Sequence, residues 1–310
     1  MLQIACAADE KYLPHCAAML VSLLKRNPGA DVWFMHSPAM DRKSLQQLGE
    51  MVSCFGGQFH PVEIPDAWIE GLPGIRGIPP IMWYRVFLPY ILPSVDKVLY
   101  LDADTLILDT VDELWETDIC HCYVAAVRNV FEKTVKDWPR KMGLDNPEGY
   151  FNSGVMLMNL KKMRQDRVPD KLVSLGRAPE QRLNWPDQDA LNVVLGKKSR
   201  LLEPKWNCQN SFFYLPEATA AFGKEVLSET LHKPRIIHFE GAGIVKPWHY
   251  LSKHPYRKMY LQMRGLTPWP DVEFEGRTFL NRVLRVLPTR VTISLLQLIY
   301  NVRQKLRKLY

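Results

Sequence analysis

Short apolar runs alternate with helix-like patterns along most of this chain, and this alternation limits the choice of fold more than any other feature. Short apolar runs are typical of buried strands, and apolar residues spaced three or four apart are typical of helices. We predict strands at residues 3–8, 31–36, 58–64, 97–101, 123–127, 154–157 and 235–239, and helices at 14–25, 41–54, 83–91 and 187–195. Strands and helices that alternate in this way predict an α/β protein.

The composition is that of an ordinary globular protein, with 47% hydrophobic and 24% charged residues among 310. This excludes a disordered chain, a collagen-like chain and a coiled coil. The six cysteines are scattered, and we interpret them as reduced core residues of a cytosolic protein. The sequence has no apolar stretch long enough for a membrane span, and its N-terminus lacks the pattern of a signal peptide. It also lacks a phosphate-binding P-loop and a glycine-rich dinucleotide fingerprint, which argues against ATP hydrolysis and nicotinamide-dependent redox chemistry.

Positive charge is concentrated at the C-terminal end. Eight basic residues and no acidic residue follow Glu275, whereas the first 275 residues carry 32 basic and 33 acidic residues. The formal net charge of +7 therefore arises entirely from the tail.

The tail also carries two amphipathic helical patterns. Leu280, Val283, Leu284 and Leu287 form the first, which Pro288 ends. The second consists of Leu295, Ile299, Val302, Leu306 and Leu309. Basic residues beside an apolar stripe predict an interfacial helix on an anionic membrane surface. The alternatives are a helix packed on the main domain and nucleic-acid binding by the basic face. Because nucleic-acid-binding proteins more often spread basic residues over a whole domain, we expect no nucleic-acid partner.

A change of composition near residue 268 predicts the domain organisation. Pro268-Trp269-Pro270 is typical of a boundary. We predict one catalytic or binding domain over residues 1–267 and a basic amphipathic tail over residues 268–310. This arrangement predicts a cytoplasmic protein that is peripheral on the inner face of the cytoplasmic membrane.

The strongest chemical motif follows the predicted strand at 97–101, where Asp102 and Asp104 flank Ala103. Ligands in α/β sheets bind beyond the carboxyl ends of strands. Two carboxylates two residues apart on extended backbone project to the same side and repel each other unless a cation lies between them. Oxygen ligands of this kind suit Mg²⁺ or Mn²⁺, which can neutralise a diphosphate leaving group. The alternative is a solvated turn without a metal.

Two enzyme chemistries and one non-enzymatic function remain open from this motif. A Mg²⁺-dependent phosphatase of haloacid-dehalogenase type would use Asp102 as its nucleophile. That class also needs a downstream acidic pair after an apolar strand, and the nearest pair, in Asp187-Gln188-Asp189, does not follow one. The second chemistry is glycosyl transfer from a sugar nucleotide. The non-enzymatic alternative is a peripheral membrane adaptor whose acidic residues are structural.

Several spaced motifs together resemble the family 8 retaining glycosyltransferases, especially the bacterial lipopolysaccharide galactosyl- and glucosyltransferases. The matching segments, in the order of the family, are Ala7-Ala8-Asp9, Tyr84-Arg85, Tyr100-Leu101-Asp102-Ala103-Asp104, Phe151-Asn152-Ser153-Gly154-Val155, Asp187-Gln188-Asp189-Ala190-Leu191-Asn192, His238-Phe239, Gly241 and Lys246-Pro247-Trp248-His249. They span about residues 3 to 250, so their joint occurrence is much more specific than any one of them.

The resemblance implies an α/β GT-A nucleotide-sugar-binding fold with a mixed central sheet, followed here by the basic amphipathic helical tail. It implies transfer of galactose or glucose from a UDP-hexose to a glycan acceptor, either a lipopolysaccharide core or another lipid-linked or cell-surface glycan. It also implies a Mn²⁺ cofactor, or Mg²⁺, held by Asp102, Asp104 and His238.

The resemblance further assigns residues around the donor. These are Ala8, Asp9, Arg85, Asp102, Ala103, Asp104, Asn152, Asp187, Gln188, Gly241 and Lys246. Asp9 corresponds to an acid that hydrogen-bonds the uracil. The sequence departs from the family at Lys11, where many members have Asn, at Arg128-Asn129, where some have an acid near the acceptor, and at residues 240–245, a loop about two residues longer than usual.

Three of these residues are the catalytic candidates implied by the resemblance, namely Asp187, Gln188 and Lys246. Gln188 corresponds to a residue near the reacting face of the anomeric carbon, and Lys246 can place a positive charge on the leaving phosphate. Because an amide is a poor nucleophile, we favour front-face attack by the acceptor over a glycosyl-enzyme intermediate, with charge stabilised by the metal and Lys246.

Overall fold

The computed structural model describes residues 1–75, 80–144, 146–178 and 182–286. The strands within these ranges are Gln3–Ala7 (β1), Asp31–His36 (β2), Gln58–Glu63 (β3), Lys97–Leu101 (β4), Thr105–Ile107 (β5), Val124–Arg128 (β6), Phe151–Asn159 (β7), Ser199–Leu202 (β8), Cys208–Gln209 (β9) and Ile236–His238 (β10). The second amphipathic pattern of the tail, at residues 295–309, lies outside the described residues.

The α-helices of the described residues vary from one turn to more than three turns. They are Leu13–Leu24 (α1), Arg42–Cys54 (α2), Asp66–Ile69 (α3), Leu88–Ile91 (α4), Asp112–Trp115 (α5), Trp138–Lys141 (α6), Leu160–Gln165 (α7), Val168–Arg177 (α8), Pro186–Leu195 (α9), Asn210–Tyr214 (α10), Glu217–Phe222 (α11), Lys224–His232 (α12), Arg257–Arg264 (α13) and Phe279–Val286 (α14). Short 3-10 helices lie at Pro80–Phe87, Pro147–Gly149, Gly196–Lys198, Pro204–Asn207 and Gly243–Val245.

Seven strands form a mixed central sheet in the order β3-β2-β1-β4-β7-β6-β8. The first four of these pair in parallel, β7 runs antiparallel to both β4 and β6, and β8 is parallel to β6. A second sheet of three strands has the order β5-β10-β9. The predicted α/β class with a mixed central sheet is therefore confirmed.

The strands at the centre of the large sheet are buried on both faces. In β4, Leu99 and Leu101 face the cluster that includes α1, whereas Val98 and Tyr100 face the 3-10 helix Pro80–Phe87 on the other side. All residues of α1 are buried, because this helix lies between the sheet and α13. The double burial explains why β4 reads as a continuous apolar run in the sequence.

The predicted elements differ from the observed ones in ways that local chemistry explains. The strand predicted at 97–101 is confirmed residue for residue, whereas the one predicted at 154–157 extends over all nine residues of β7. The helix predicted at 83–91 is a 3-10 helix followed by the single turn of α4. Pro89 lacks the amide hydrogen that a continuous α-helix would need at that position. The interpretation of the cysteines as core residues is wrong for Cys54 and Cys120, which are exposed.

The segment after residue 267 contacts the main domain before α14 begins. Glu275 accepts a backbone hydrogen bond from Tyr250 (2.8 Å) and donates one to Trp248 (3.1 Å). The side chain of Glu275 also pairs with Lys11, with 3.3 Å between Nζ and Oε1. The division at residues 267 and 268 stays a prediction. No helix of the described ranges combines the length and hydrophobicity that crossing a membrane would require.

Ser22 joins α1 to β5, the strand that follows the acidic motif. Its Oγ donates to Met19 O (2.6 Å) and accepts from the backbone amide of Ile107 (2.9 Å) in the buried core. The hydroxyl thus gives a partner to a buried amide and orients β5 on the helix.

We expect Ser22→Ala to lower the free energy of unfolding by about 1–3 kcal/mol, because the buried amide of Ile107 loses its acceptor. Urea denaturation of the purified variant measures this loss. Ser53→Ala, at an exposed position of α2, is the matched control and should change stability by less than about 0.5 kcal/mol. Equal effects of the two substitutions would contradict the assignment.

Candidate active site and metal centre

The two acidic residues of the motif occupy the corner between the two sheets. β4 ends at Leu101 and β5 begins at Thr105, so the chain passes from one sheet to the other through Asp102, Ala103 and Asp104. The amide of Asp102 donates to Gly154 O in β7 (2.8 Å), and Thr105 Oγ1 donates to Asp102 O (2.9 Å). These bonds fix the backbone of the corner from both sides.

His238 completes a group of three side chains that can hold a metal ion. It is the last residue of β10 and pairs with Thr105 in β5, next to the acidic corner. One ligand atom each of Asp102, Asp104 and His238 lies within 4.8 Å of the other two. His238 Nε2 is 3.3 Å from Asp104 Oδ1 and 3.8 Å from Asp102 Oδ2. The structure therefore brings together the three residues that the resemblance named as metal ligands.

The orientation of the His238 ring is set by Asn207, a residue that the sequence analysis missed. His238 Nδ1 lies 3.1 Å from Asn207 Oδ1, and an amide oxygen can only accept. Nδ1 therefore carries a hydrogen, and Nε2 faces the carboxylates, as is usual for metal-binding histidines. Burial lowers the pKa of His238, but Asp104 and Asp102 raise it above its ordinary value.

Gly154 leaves the space in which these side chains meet. A Cβ atom on this residue would lie 2.2 Å from His238 Cε1 and 2.8 Å from Asp102 Oδ2, closer than real contacts allow. Two carboxylates and one imidazole match the ligands that Mn²⁺ and Mg²⁺ accept. The space around Gly154 and the three ligand atoms both fit a small divalent cation.

Lys246 is a buried cation beside the acidic corner. It is 3% exposed, its Nζ contacts Asp104 Oδ2, and its ammonium lies 5.1 Å from the ring centre of Trp248. Burial raises the pKa of Asp104, but Lys246 and His238 lower it well below its ordinary value. The loop of residues 240–245, which the sequence predicts to be longer than usual, does not prevent this contact. Gly241 and Gly243 adopt positive φ angles of 84° and 69°, and the loop includes the 3-10 helix Gly243–Val245.

Arg85 lies underneath the corner and holds Asp102 from the opposite side. Its NH2 is 2.8 Å from Asp102 Oδ1, its NH1 donates to Ser153 O (2.8 Å), and its guanidinium carbon is 4.4 Å from the centre of the Tyr100 ring. Tyr100 OH donates to the same Oδ1 (2.9 Å). Arg85 is 6% exposed, so it acts in this structure mainly by fixing and neutralising Asp102.

Asp187 is a buried carboxylate with an incompletely satisfied oxygen. Its Oδ2 has no hydrogen-bond partner among the described residues. Arg85 Nε is 3.3 Å from it but donates its hydrogen to Met82 O instead. Burial raises the pKa of Asp187 to about 6, although Arg85 lowers it. A buried acceptor of this kind suits a hydroxyl-bearing ligand.

Gln188 and Asn152 are held by hydrogen bonds with defined directions. Gln188 Oε1 accepts from the amide of Ser153 (2.9 Å), and its Nε2 donates to Tyr150 OH (3.3 Å). Asn152 Oδ1 accepts from Asn207 Nδ2 (2.9 Å) and from the amide of Gly154 (3.0 Å). Asn207 therefore orients both the ring of His238 and the amide of Asn152.

The remaining predicted donor residues lie at the edge of the site. Asp9 Oδ1 accepts from the amide of Tyr12 (2.8 Å) and so shapes the turn between β1 and α1. Tyr12 connects this turn to the centre, because its ring is 6.0 Å from Lys246 Nζ. Ala8 is buried, and Lys11 points to Glu275.

Comparisons with known proteins identify the sequence as that of a glycosyltransferase. The profile of glycosyl transferase family 8 matches residues 3–252. General stress protein A of Bacillus subtilis (strain 168) is 28% identical over 279 residues, which cover 88% of this chain and 96% of that protein. The lipopolysaccharide 1,3-galactosyltransferase of Salmonella typhimurium (strain LT2) is 28% identical over 274 residues, covering 86% of this chain and 78% of that protein.

The fold agrees with a solved glycosyltransferase structure. The galactosyltransferase LgtC, crystallised with donor and acceptor sugar analogues, superposes with a TM-score of 0.74 at 22% identity, covering 86% of this chain and 96% of that chain. This likeness confirms the GT-A fold expected from the sequence.

We expect Gly154→Ala to weaken Mn²⁺ binding at least about tenfold, because the added methyl group displaces His238 and Asp102. Isothermal titration with Mn²⁺ alone measures this effect without any turnover. Gly196→Ala is the control, since no atom lies within 4 Å of the Cβ added there. Unchanged Mn²⁺ affinity in Gly154→Ala would show that the metal binds elsewhere.

The raised pKa of Asp187 predicts how stability depends on pH. Between pH 4 and 6 the folded protein binds more protons at this carboxyl than the unfolded chain does, so its contribution becomes less favourable as the pH rises. Relative to the wild type, Asp187→Asn should therefore gain on the order of 3 kcal/mol in unfolding free energy between pH 4 and 7. Urea denaturation over this range measures the difference, and the exposed Asp271→Asn is the control. A difference that is independent of pH would contradict the prediction.

Proposed function

The chain belongs to glycosyl transferase family 8, and on this basis we propose that it moves galactose or glucose from a UDP-hexose to a glycan acceptor with retention of the anomeric configuration. One observation carries the proposal. Asp102, Asp104 and His238 converge at the carboxyl end of β4, within the part of the chain that the family profile covers. In α/β sheets this is where ligands bind.

We assign Mn²⁺, or Mg²⁺, to this group of ligands. Bound there, the ion would act as a Lewis acid that neutralises the charge of the departing diphosphate. Arg85 and Tyr100 hold Asp102 in place, and Asn207 holds the ring of His238. The ligands are thus oriented before the donor arrives, which is where much of the catalytic effect of such sites originates.

Lys246 supplies the second positive charge for the leaving group. Its ammonium is buried next to Asp104, and within a dry site a hydrogen bond from an ammonium to a phosphate oxygen is strong.

Asp9 is proposed to bind the uracil. Ala8, Ala103 and Gly241 are proposed to border the nucleotide, where no bulky side chain obstructs it.

Asp187 and Asn152 are proposed to bind hydroxyl groups of the transferred sugar. Gln188 is held by Ser153 and Tyr150 near the face on which the acceptor attacks. The bond from the anomeric carbon to the diphosphate oxygen breaks, and the bond to the acceptor oxygen forms on the same face, which retains the configuration. The acceptor hydroxyl passes its proton to the oxygen of the departing diphosphate.

The packing of the neighbouring Asp189 excludes this residue as the nucleophile of a covalent intermediate. Asp189 is fully buried, and its oxygens accept from Tyr150 OH (2.5 Å), Trp138 Nε1 (3.1 Å) and the amide of Asn184 (2.7 Å). A carboxylate with its lone pairs engaged in this way is a poor nucleophile.

The acceptor is proposed to be a lipopolysaccharide core or another lipid-linked or cell-surface glycan. The Salmonella relative is named for transfer to lipopolysaccharide. Such an acceptor would place the enzyme at the inner face of the cytoplasmic membrane. The tail supports this location, because α14 exposes Phe279, Leu280 and Val283 beside basic residues.

Two findings argue against the alternative functions. Family membership argues against both the phosphatase and the non-enzymatic adaptor. Asp102 Oδ1, moreover, is engaged by Arg85 and by Tyr100, which would lower its reactivity as a nucleophile.

The proposal predicts release of UDP from one UDP-hexose with Mn²⁺ and none after EDTA treatment. Asp102→Asn and Asp104→Asn should each lower the turnover at least about 100-fold, because each replaces a negatively charged ligand of the ion that stabilises the leaving group by a neutral amide. The exposed Asp271→Asn is the control for the loss of one carboxylate. NMR of the product should show the anomeric configuration of the donor, and an inverted product would overturn the proposed mechanism.

A further inference from the structure

A cleft with basic walls lies on the face where α13 and α14 meet the loop after Trp248. Its volume is about 280 Å³. The residues that line it are Tyr250, Leu251, Ser252, Lys253, Arg257, Leu284 and Arg285. None of these residues belongs to the proposed active site.

Two guanidinium groups on the wall of this cleft lack an acidic partner. Within the described parts of the chain, Arg257 and Arg285 have no carboxylate within 4 Å, whereas Arg277, on the same tail, pairs with Glu273 (3.7 Å). Arg257 Nε donates to Pro247 O (2.9 Å), and the guanidinium carbon of Arg285 lies 4.6 Å from the centre of the Tyr250 ring. Backbone and aromatic contacts orient both groups, but they do not neutralise them.

A third arginine adds positive charge behind the cleft. Arg264 is 5% exposed, and its Nε and NH1 have no hydrogen-bond partner among the described residues. Its guanidinium carbon and that of Arg257 lie 5.0 Å and 4.9 Å from the centre of the same ring, Phe274. The pKa of Arg257 is lowered by burial and by the charges of Arg285 and Arg264. Of the three arginines, Arg264 is buried, Arg257 is half-buried and Arg285 is exposed. Gathering three positive charges without an anion is unfavourable, most of all at the buried Arg264, so an anionic ligand would relieve the cost.

The surface beside the cleft indicates where such an anion comes from. Phe279 is 82% exposed, Leu280 49% and Val283 44%, so α14 presents apolar side chains to its surroundings next to the basic cleft. Leu284, on the same helix, is 2% exposed and lines the cleft. An apolar helix face beside basic groups matches the boundary of an anionic bilayer, with acyl chains beside phosphates. A nucleic acid would leave the apolar face uncovered.

We propose that the cleft between Tyr250, Arg257 and Arg285 binds the phosphate of an anionic lipid headgroup while the apolar face of α14 enters the bilayer. This inference rests on the proposed membrane association and makes it specific. Binding is to a site built of two oriented guanidinium groups, which suit phosphate, and is not a diffuse attraction of the tail.

The test compares two double variants of the full-length protein that remove equal charge. Arg257→Gln with Arg285→Gln empties the cleft of its oriented guanidiniums, whereas Arg277→Gln with Arg282→Gln removes the same charge from the tail outside it. Co-sedimentation with phosphatidylcholine vesicles that contain phosphatidic acid measures binding. We expect the control variant to lose up to about 30-fold, which is the diffuse contribution of two positive charges, and the cleft variant to bind at least about tenfold more weakly than the control variant. Equal losses would overturn the site.

Inorganic phosphate distinguishes a phosphate site from general salt screening. At constant ionic strength, replacing chloride by phosphate should release the wild type and the control variant from the vesicles, but not change the residual binding of the cleft variant. Equal effects of the two anions, or stronger binding to a short oligonucleotide than to the vesicles, would contradict the proposal.

Donor hydrolysis by the same variants separates this inference from the transferase proposal. None of the four arginines belongs to the proposed catalytic site, so UDP release should equal that of the wild type, and thermal melting checks that each variant is folded. Loss of vesicle binding with normal UDP release supports the cleft. A wild type that releases UDP but binds no vesicles overturns the cleft alone. A wild type that binds vesicles as expected but never releases UDP overturns the transferase alone.

Discussion

The repulsion between Asp102 and Asp104 is the constraint that organises the centre of this protein. The two carboxylates lie on one turn between two sheets, and each is paired with a different cation. Arg85 reaches Asp102 from beneath the large sheet, and Lys246 reaches Asp104 from the loop after β10. Because these partners come from different elements, neither of them occupies the side of the two carboxylates on which His238 and Gly154 lie. That side stays available to a ligand.

The elements around the corner are arranged to hold these partners rather than only to fill the core. The 3-10 helix Pro80–Phe87 places Arg85 against the ring of Tyr100, and that ring lies on the face of β4 opposite α1. β10 pairs with β5 in the register that sets His238 opposite Thr105. A shift of one residue would turn the imidazole to the other face of the sheet. Hydrogen bonds from Asn207 then connect the ring of His238 to the amide of Asn152, so metal ligands and proposed sugar ligands share one polar network.

Sequence patterns predicted the parts of this arrangement that depend on local chemistry. β4 was predicted at its true bounds because burial on both faces produces an uninterrupted apolar run, and the acidic pair was found because it follows that run directly. Asn207 was missed because it lies 31 residues from His238 and no local pattern marks it. The function of Arg85 beneath Asp102 was likewise not visible, since the contact depends on how a 3-10 helix packs under the sheet. The resemblance to family 8 identified His238 as a metal ligand. The space that Gly154 leaves for these ligands, in contrast, is visible only in the three-dimensional structure.

The contact between Lys246 and Asp104 has a consequence for how the enzyme exists between reactions. Lys246 serves as an internal counter-ion, so the acidic corner is already neutralised by the polypeptide itself. Small structural zinc domains, in contrast, unfold when the metal is removed, because the free energy of metal binding supplies that of folding. Here Lys246 offsets the charge of Asp104 within the chain, so the folded corner requires less stabilisation from an ion. A cation bound at this corner would therefore exchange more readily than one in a structural zinc domain, and would be able to enter and leave together with a nucleotide.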